Sequence, residues 1–301
     1  MAKSHADAAL ALLIAVLCIL ALWRLAWWGW RLLRQGAGRL AKRFRGSSIW
    51  ERLHPVQAAL RRRAPRSYAF LRARLAPGRF DGLPLTLLVA AALYLASLLG
   101  GLIEDVVEAE EIVALDQAVN AFFAPWRSTF LLMLFIWITE FGANPALIAV
   151  VIVSTGFLWA DRRASFILPL WVTILGANLT TWAGKYGFGR TRPAFETVAT
   201  AFSPSFPSAH ATAALAVYGF VAYAIARDAT PRQRFEIAFW TLILIALIGF
   251  SRIFLSVHFL SDVAAGFLVG GFWLLVGFSL QEFQRQRLAA GRRELGKDLN
   301  A

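Results

Sequence analysis

FEIAFWTLILIALIGFSRIFLSVHFLSDVAAGFLVGGFWLLVGFSL, residues 235–280, decides the architecture of this chain. It holds two apolar runs, 235–254 and 259–280, each about 20 residues long, the length a helix needs to cross the hydrocarbon core of a bilayer. Ser251 and Arg252 close the first run, and His258 and Asp262 stand at the start of the second. Ionisable groups at the mouth of a span are costly in lipid and are kept where they serve chemistry.

Further runs of similar length lie at 8–30, 83–103, 164–184 and 208–226. Residues 128–160 read as a half-inserted or surface helix up to Phe141, a break at Gly142-Ala143-Asn144-Pro145, and one true span over 146–160. With 58% hydrophobic residues and a mean hydropathy of +0.58, the 301-residue chain has room for these spans and for no large soluble domain. The expected fold is all-α, a polytopic membrane helix bundle of a six-span core with one extra N-terminal span. The expected division is an anchor over 1–33, a basic linker over 34–82, the core over 83–280 and a basic tail over 281–301. Residues 8–30 read as a retained span with its N-terminus outside, because the charge follows the run and Trp23, Trp27, Trp28 and Trp30 suit an interfacial belt.

The net charge of +13 is concentrated. Fourteen Lys or Arg and a single acid, Glu51, lie between Arg31 and Arg79, in a stretch broken by Pro55, Pro65 and Pro77. A basic segment flanked by spans marks the cytoplasmic face and binds anionic headgroups, which disfavours nucleic acid as the partner. Short amphipathic helices on the membrane surface are expected near 56–63 and 67–75. Cys18 stands alone in an apolar run and forms no intrachain disulfide. Arg162 and Arg163, then Arg227, Arg232 and Arg234, then the tail all fall on the linker's side, while the acidic stretch from Glu104 to Asp116 falls on the other. Lys185, Arg190 and Arg192 defy that pattern by lying outside, and a bound anion would account for them.

Three polar strings therefore share the outer face. Lys185 supplies a point charge, and Arg192 a planar fork suited to two phosphate oxygens, with Arg190 as a possible further ligand. Ser208 and Ala209 open a helix after Pro207, where free N–H groups and the positive end of the helix dipole favour an anion. His210 beside them is a candidate proton donor. His258 and Asp262 are four residues apart and share a helix face, so the carboxylate can fix the imidazole tautomer and leave the other nitrogen basic. Arg252 ends the preceding span and reaches the same place. Each string alone also reads as a snorkelling anchor, a helix cap or a structural ion pair; their convergence on one face argues for a phosphate cradle with a nucleophile. Glu140 and Asn144 flank the break and read as turn residues near the pocket.

Lys185-x6-Arg192-Pro193, Pro207-Ser208-Ala209-His210 and Ser251-Arg252-x5-His258-x3-Asp262 resemble, in order and spacing, the motifs of the type 2 phosphatidic acid phosphatase superfamily, with Ala209 where the family usually has Gly. The resemblance covers about 83–280. It implies a metal-independent phosphatase without a cofactor, in which His258 attacks phosphorus, Asp262 orients it and His210 protonates the leaving group. Lys185, Arg192, Arg252, Ser208 and the Ala209 amide would hold the phosphoryl oxygens. A neutral His258 and a protonated His210 imply a bell-shaped pH profile.

The expected substrate is a lipid phosphate or pyrophosphate, such as undecaprenyl pyrophosphate, phosphatidic acid, phosphatidylglycerol phosphate or lipid A phosphate. The expected site of action is the periplasmic face of the inner membrane. The alternatives to hydrolysis are transfer of the phosphoryl group to another lipid, and non-catalytic binding or transport of a lipid phosphate, each using the same pocket. Membrane lipids are the expected surroundings, and residues 1–80 are a possible dock for a membrane-protein partner.

Overall fold

The computed structural model describes residues 2–45, 57–76, 80, 82–108, 110–193 and 203–298, with the side chains of 2–12, 15, 37–45 and 289–298 outside the description. The breaks expected at Pro55 and Pro77, and the side chains of Arg292, Arg293 and Lys297 in the tail, lie outside the described residues. Every regular element among those described is a helix. Seven helical segments are long and apolar enough to cross a membrane: Val16–Gly36, Leu83–Glu108, Thr129–Ala160, Ala164–Phe188, Ala209–Ala226, Pro231–Phe254 and Leu260–Leu288. The all-α polytopic bundle expected from the sequence is the fold observed.

The chain divides into two compact units, Met1–Thr86 and Leu87–Ala301. In the first, α1 (Ala2–Arg45) runs past the apolar stretch into the basic segment instead of ending at residue 33. Leu, Arg, Ala and Lys are all good helix formers, and no proline stops the helix there. Helix α2 (57–63) and α3 (Pro65–Arg74) follow, the latter opened by a proline at its first position. Helix α4 (Leu83–Glu108) begins at the end of this unit.

In the second unit, α5 (Glu110–Phe123) and α6 (Thr129–Glu140) precede the break at Phe141–Ala143, and α7 (Asn144–Ala160) follows with Pro145 in its first turn. Arg127, just before α6, donates to Phe254 O, and Thr139, in its last turn, accepts from Arg252. Both ends of α6 therefore reach the last turn of α10. Helices α8 (Ile167–Phe188), α9 (Ala209–Ala226), α10 (Pro231–Phe254) and α11 (Leu260–Asp298) complete the bundle.

Helix α10 starts four residues earlier than the apolar run suggests. Thr230 and Gln233 form a reciprocal capping box and Pro231 takes the first turn, so the backbone donors are satisfied before the membrane segment begins. Helix α11 continues beyond residue 280 into the expected tail. Glu282 pairs there with Arg227 and Arg285 and accepts from Tyr223 Oη, while Gln281 is buried against Ser165.

The core lies where α7, α8, α9 and α11 meet, with Leu170, Val217 and Phe220 fully buried. Apolar area gains little by leaving lipid, so close packing is what holds such a bundle together. Gly266 shows this: a Cβ there would lie 2.7 Å from Ser208 O and 3.0 Å from Ala211 Cβ. Its absence lets the first turns of α9 and α11, which carry the polar strings, touch backbone to side.

Candidate active site

The three polar strings come together at one end of the second unit. Helix α8 ends at Gly189, whose φ of +59° is a left-handed cap that costs glycine little. The chain then turns back, carrying Arg190 and Arg192 across the ends of the helices. Lys185, in the last turn of α8, and Arg192 both donate to Pro204 O. Arg192 also donates to Ser203 O at 2.8 Å and to Val257 O at 2.6 Å, which leaves its Nη1 3.3 Å from His258 Nε2. Burial lowers the Arg192 pKa, and Asp262 works against that shift. The guanidinium stays cationic at any working pH.

Ser208 begins α9, and its N–H donates to the backbone oxygen of Asp262 at 2.9 Å, joining the second and third strings. The Ser208 side chain does not cap the helix. Its hydroxyl is buried with no hydrogen-bond partner among the described residues. Ala209 is the first residue of α9 and is not among the positive-φ residues, so alanine fits without strain where glycine is usual. His210 sits beside Gly142 at the break between α6 and α7 and within electrostatic reach of Arg252, His258, Arg192 and Lys185.

Arg252 is 6% exposed and gives one Nη to Thr139 Oγ1 at 2.7 Å, while its Nε is buried without a partner. Its backbone oxygen accepts from Val257 and His258, which folds the 255–258 turn over the end of α10. Ser256 within that turn takes a φ of +54° and donates to Asn120 Oδ1 at 2.6 Å.

His258 is 3% exposed, and its Nδ1 lies 3.3 Å from Asp262 Oδ2. That oxygen also accepts from Phe259 N–H at 2.9 Å. With the Nδ1 proton turned to the carboxylate, Nε2 keeps its lone pair and faces Arg192. Burial holds the His258 pKa down at about 4, with Arg252 and Arg192 adding to it and Asp262 opposing it. The imidazole is neutral at pH 7, the state a nucleophile needs.

Lys185, Arg192 and Arg252 thus surround one point, and none forms an ion pair with a carboxylate among the described residues. Asp262 is engaged by His258 on one oxygen and by Arg190 on the other. Cations without a carboxylate partner, together with a buried Ser208 hydroxyl and Arg252 Nε that bond nothing among the described residues, suit a multiply charged, oxygen-rich anion.

Arg190, which the sequence offers as a possible phosphate ligand, is turned elsewhere. It donates to Asp262 Oδ1 at 2.6 Å, to Ser261 Oγ at 2.7 Å and to Asp116 Oδ2 at 2.9 Å. Its guanidinium lies 4.6 Å from the Phe259 ring centroid. Glu140 and Asn144 are both exposed, and Thr139 next to Glu140 is the residue that reaches the site. Sequence reasoning missed Asp116, which it counted in an acidic outer stretch, and Asn120, which it did not single out. Both are buried on α5, four residues apart, and both hold the 256–261 segment. Two polar residues on one face of an apolar helix were the available signal.

The sequence matches the PAP2 superfamily over residues 166–286, a stretch that contains all three strings. It is 31% identical over 140 residues to phosphatidylglycerophosphatase B of Bacillus subtilis (strain 168), an alignment covering 38% of this chain and 68% of that one. The crystal structure of a transmembrane PAP2 type phosphatidylglycerolphosphate phosphatase from Bacillus subtilis superposes with a TM-score of 0.59 at 24% identity. That match covers 65% of this chain and 96% of the other, a likeness of fold. LpxE of Aquifex aeolicus superposes at a TM-score of 0.43, with 23% identity over 55% of this chain and 93% of its own. Relative, family match and fold agree: the chain belongs to the PAP2 superfamily and is a multi-pass membrane lipid phosphatase.

Proposed function

We propose that the protein dephosphorylates a lipid phosphate at the periplasmic face of the inner membrane through a phosphohistidine on His258. The observation that carries this reading is the pair of buried, unpartnered donors, Ser208 Oγ and Arg252 Nε, beside a neutral imidazole that points its free nitrogen at Arg192. In the first step His258 Nε2 attacks phosphorus while the bond to the leaving oxygen breaks, and His210 gives that oxygen a proton. In the second, water attacks the phosphohistidine and its proton passes to His210. Inorganic phosphate leaves and Nε2 regains its lone pair. Lys185, Arg192, Arg252, Ser208 Oγ and the Ala209 N–H hold the equatorial oxygens, where charge develops. Asp262 keeps Nδ1 protonated and stabilises the imidazolium character of the intermediate.

A side-opening cavity supports a lipid substrate, and the charges at the opposite end support the orientation. Ala213 and Val217 continue the helix face that carries His210, and with Asn144, Ile148, Ile152 and Trp171 they line a cavity of about 320 Å³. Ile148 and Ile152 are 57% and 61% exposed, so the cavity opens sideways, where a tail can remain in lipid while its headgroup reaches the site. Arg163 at the far end of the bundle pairs with Asp228 and donates to Ala224 O, and Arg227 pairs with Glu282 there. Basic residues at that end favour a cytoplasmic orientation for it and an outward-facing site. The name of the Bacillus subtilis relative favours phosphatidylglycerol phosphate among the four candidate lipids.

The test is phosphate release by the purified full-length protein from a panel of lipid phosphates and pyrophosphates, with vanadate as inhibitor. His258→Ala is expected to insert normally and release no phosphate. Undiminished release from that variant overturns the assignment of His258 as nucleophile.

A further inference from the structure

We propose that Asp116 and Arg190 form a clamp that fixes the Asp262 carboxylate against His258, which makes the outer helix α5 a positioning element of the active site. The inference rests on His258 being the nucleophile.

The geometry is a chain of four groups, Asp116, Arg190, Asp262 and His258, of which all but Arg190 are buried. Asp116 receives the Ser261 N–H at 3.0 Å on one oxygen, and on the other the Ser261 hydroxyl and an Arg190 Nη2–H at 2.9 Å. Arg190 Nη1 reaches Asp262 Oδ1 at 2.6 Å, and Asp262 Oδ2 faces His258 Nδ1. The two carboxylates are 1% and 0% exposed, and the Arg190 side chain is 14% exposed. A guanidinium that bridges two carboxylates has a fixed plane, and its fork fixes theirs. Asp262 cannot rotate about its Cβ–Cγ bond without breaking the bond from Arg190 to Oδ1 and the bond from Phe259 N–H to Oδ2. Its second oxygen therefore stays available to the imidazole. Asn120, one turn along α5, holds the same segment through Ser256, so the helix pins the nucleophile's turn at two points.

Charge makes this more than a support. Asp116, Arg190 and Asp262 sum to one negative charge beside His258. The other groups that face the imidazole are Lys185 of α8, Arg192 of the following segment, His210 of α9 and Arg252 of α10, and all of them are cationic or can become so. Attack on phosphorus gives the ring a positive charge, which the net −1 cluster stabilises and those cations oppose. Removing the charge of Asp116 leaves an Arg190–Asp262 pair of zero net charge, so His258 loses basicity. The phosphate cradle itself is untouched.

Asp116→Asn keeps the size of the side chain and an acceptor for the Ser261 N–H while removing the charge. The expected result is kcat lower by about 10- to 100-fold with KM and vanadate inhibition within about threefold, and the acid limb of kcat/KM moved to lower pH. Arg190→Lys keeps the charge but cannot span both carboxylates, and is expected to lower kcat to a similar degree with vanadate inhibition again retained. Because the two residues act as a unit, Asp116→Asn combined with Arg190→Met should be no worse than Arg190→Met alone. An unshifted acid limb in Asp116→Asn, an Arg190→Lys enzyme with wild-type kcat, or vanadate inhibition lost in step with kcat overturns the clamp. An active His258→Ala enzyme would instead remove the nucleophile assignment beneath it, so the two failures are told apart.

Discussion

Replacing Ser208 with alanine should separate the stability of this protein from its activity. Serine at the start of a helix ordinarily accepts a backbone N–H, and its loss costs about 1 kcal/mol. Ser208 makes no such cap, and its hydroxyl is buried without a partner. A buried donor left unmade costs about 1–3 kcal/mol, so Ser208→Ala should leave the thermal unfolding midpoint in detergent unchanged or raise it. In the proposed mechanism the same hydroxyl bonds a phosphoryl oxygen carrying charge, an interaction of about 1.5–3 kcal/mol. Its removal should therefore lower kcat/KM by about 10- to 150-fold. The assay is the initial rate of phosphate release from a lipid phosphate in detergent micelles, with the unfolding midpoint measured on the same preparation. A Ser208→Ala enzyme with the wild-type rate refutes the reasoning. So does one whose midpoint falls in proportion to its rate, since that would make the hydroxyl a structural group.

Two further outcomes follow from the geometry. Burial lowers the His258 pKa from an ordinary 6.5 to about 4, so the unfolded chain binds more protons between those values. Stability should fall as pH drops from about 6.5 to about 4 and be level above that window. The acid limb of kcat/KM should lie near the lower value; a His258→Asn variant that keeps the full stability slope would contradict this. Gly266→Ala would place a methyl 2.7 Å from Ser208 O, forcing α9 away from α11. A stability loss of about 1–3 kcal/mol with reduced activity is expected, and an unaltered midpoint would show that the helices do not meet as closely as described.

Arg190 shows where linear reading stops. Three cations within eight residues look alike in sequence, yet Lys185 and Arg192 face the pocket while Arg190 faces two acids. Which way a guanidinium turns is set by the nearest buried carboxylate, and Asp116 is 74 residues away in the chain. Asp116 itself was hidden by its neighbours: among Glu104, Asp105, Glu108, Glu110 and Glu111 it reads as one more exposed acid. The start of α10 was legible in Thr230, Pro231 and Gln233, and the apolar run alone concealed it. Ala209 could not be judged from sequence, because whether alanine is strained depends on a φ angle that only the packed helix start defines.

What the sequence determined by itself was the membrane class, the number of apolar spans and the meeting of the three polar strings at one end of them. Those depend on local quantities: the length of an apolar run, the period of a helix, the sign of the charge at its ends. The tertiary structure decided which donors stay unpaired, which cation serves the Asp262 carboxylate, and that α5 reaches the turn carrying His258. Each of these is a contact between residues dozens of positions apart, chosen by the directions in which packed helices turn their side chains, and no linear pattern carries that direction.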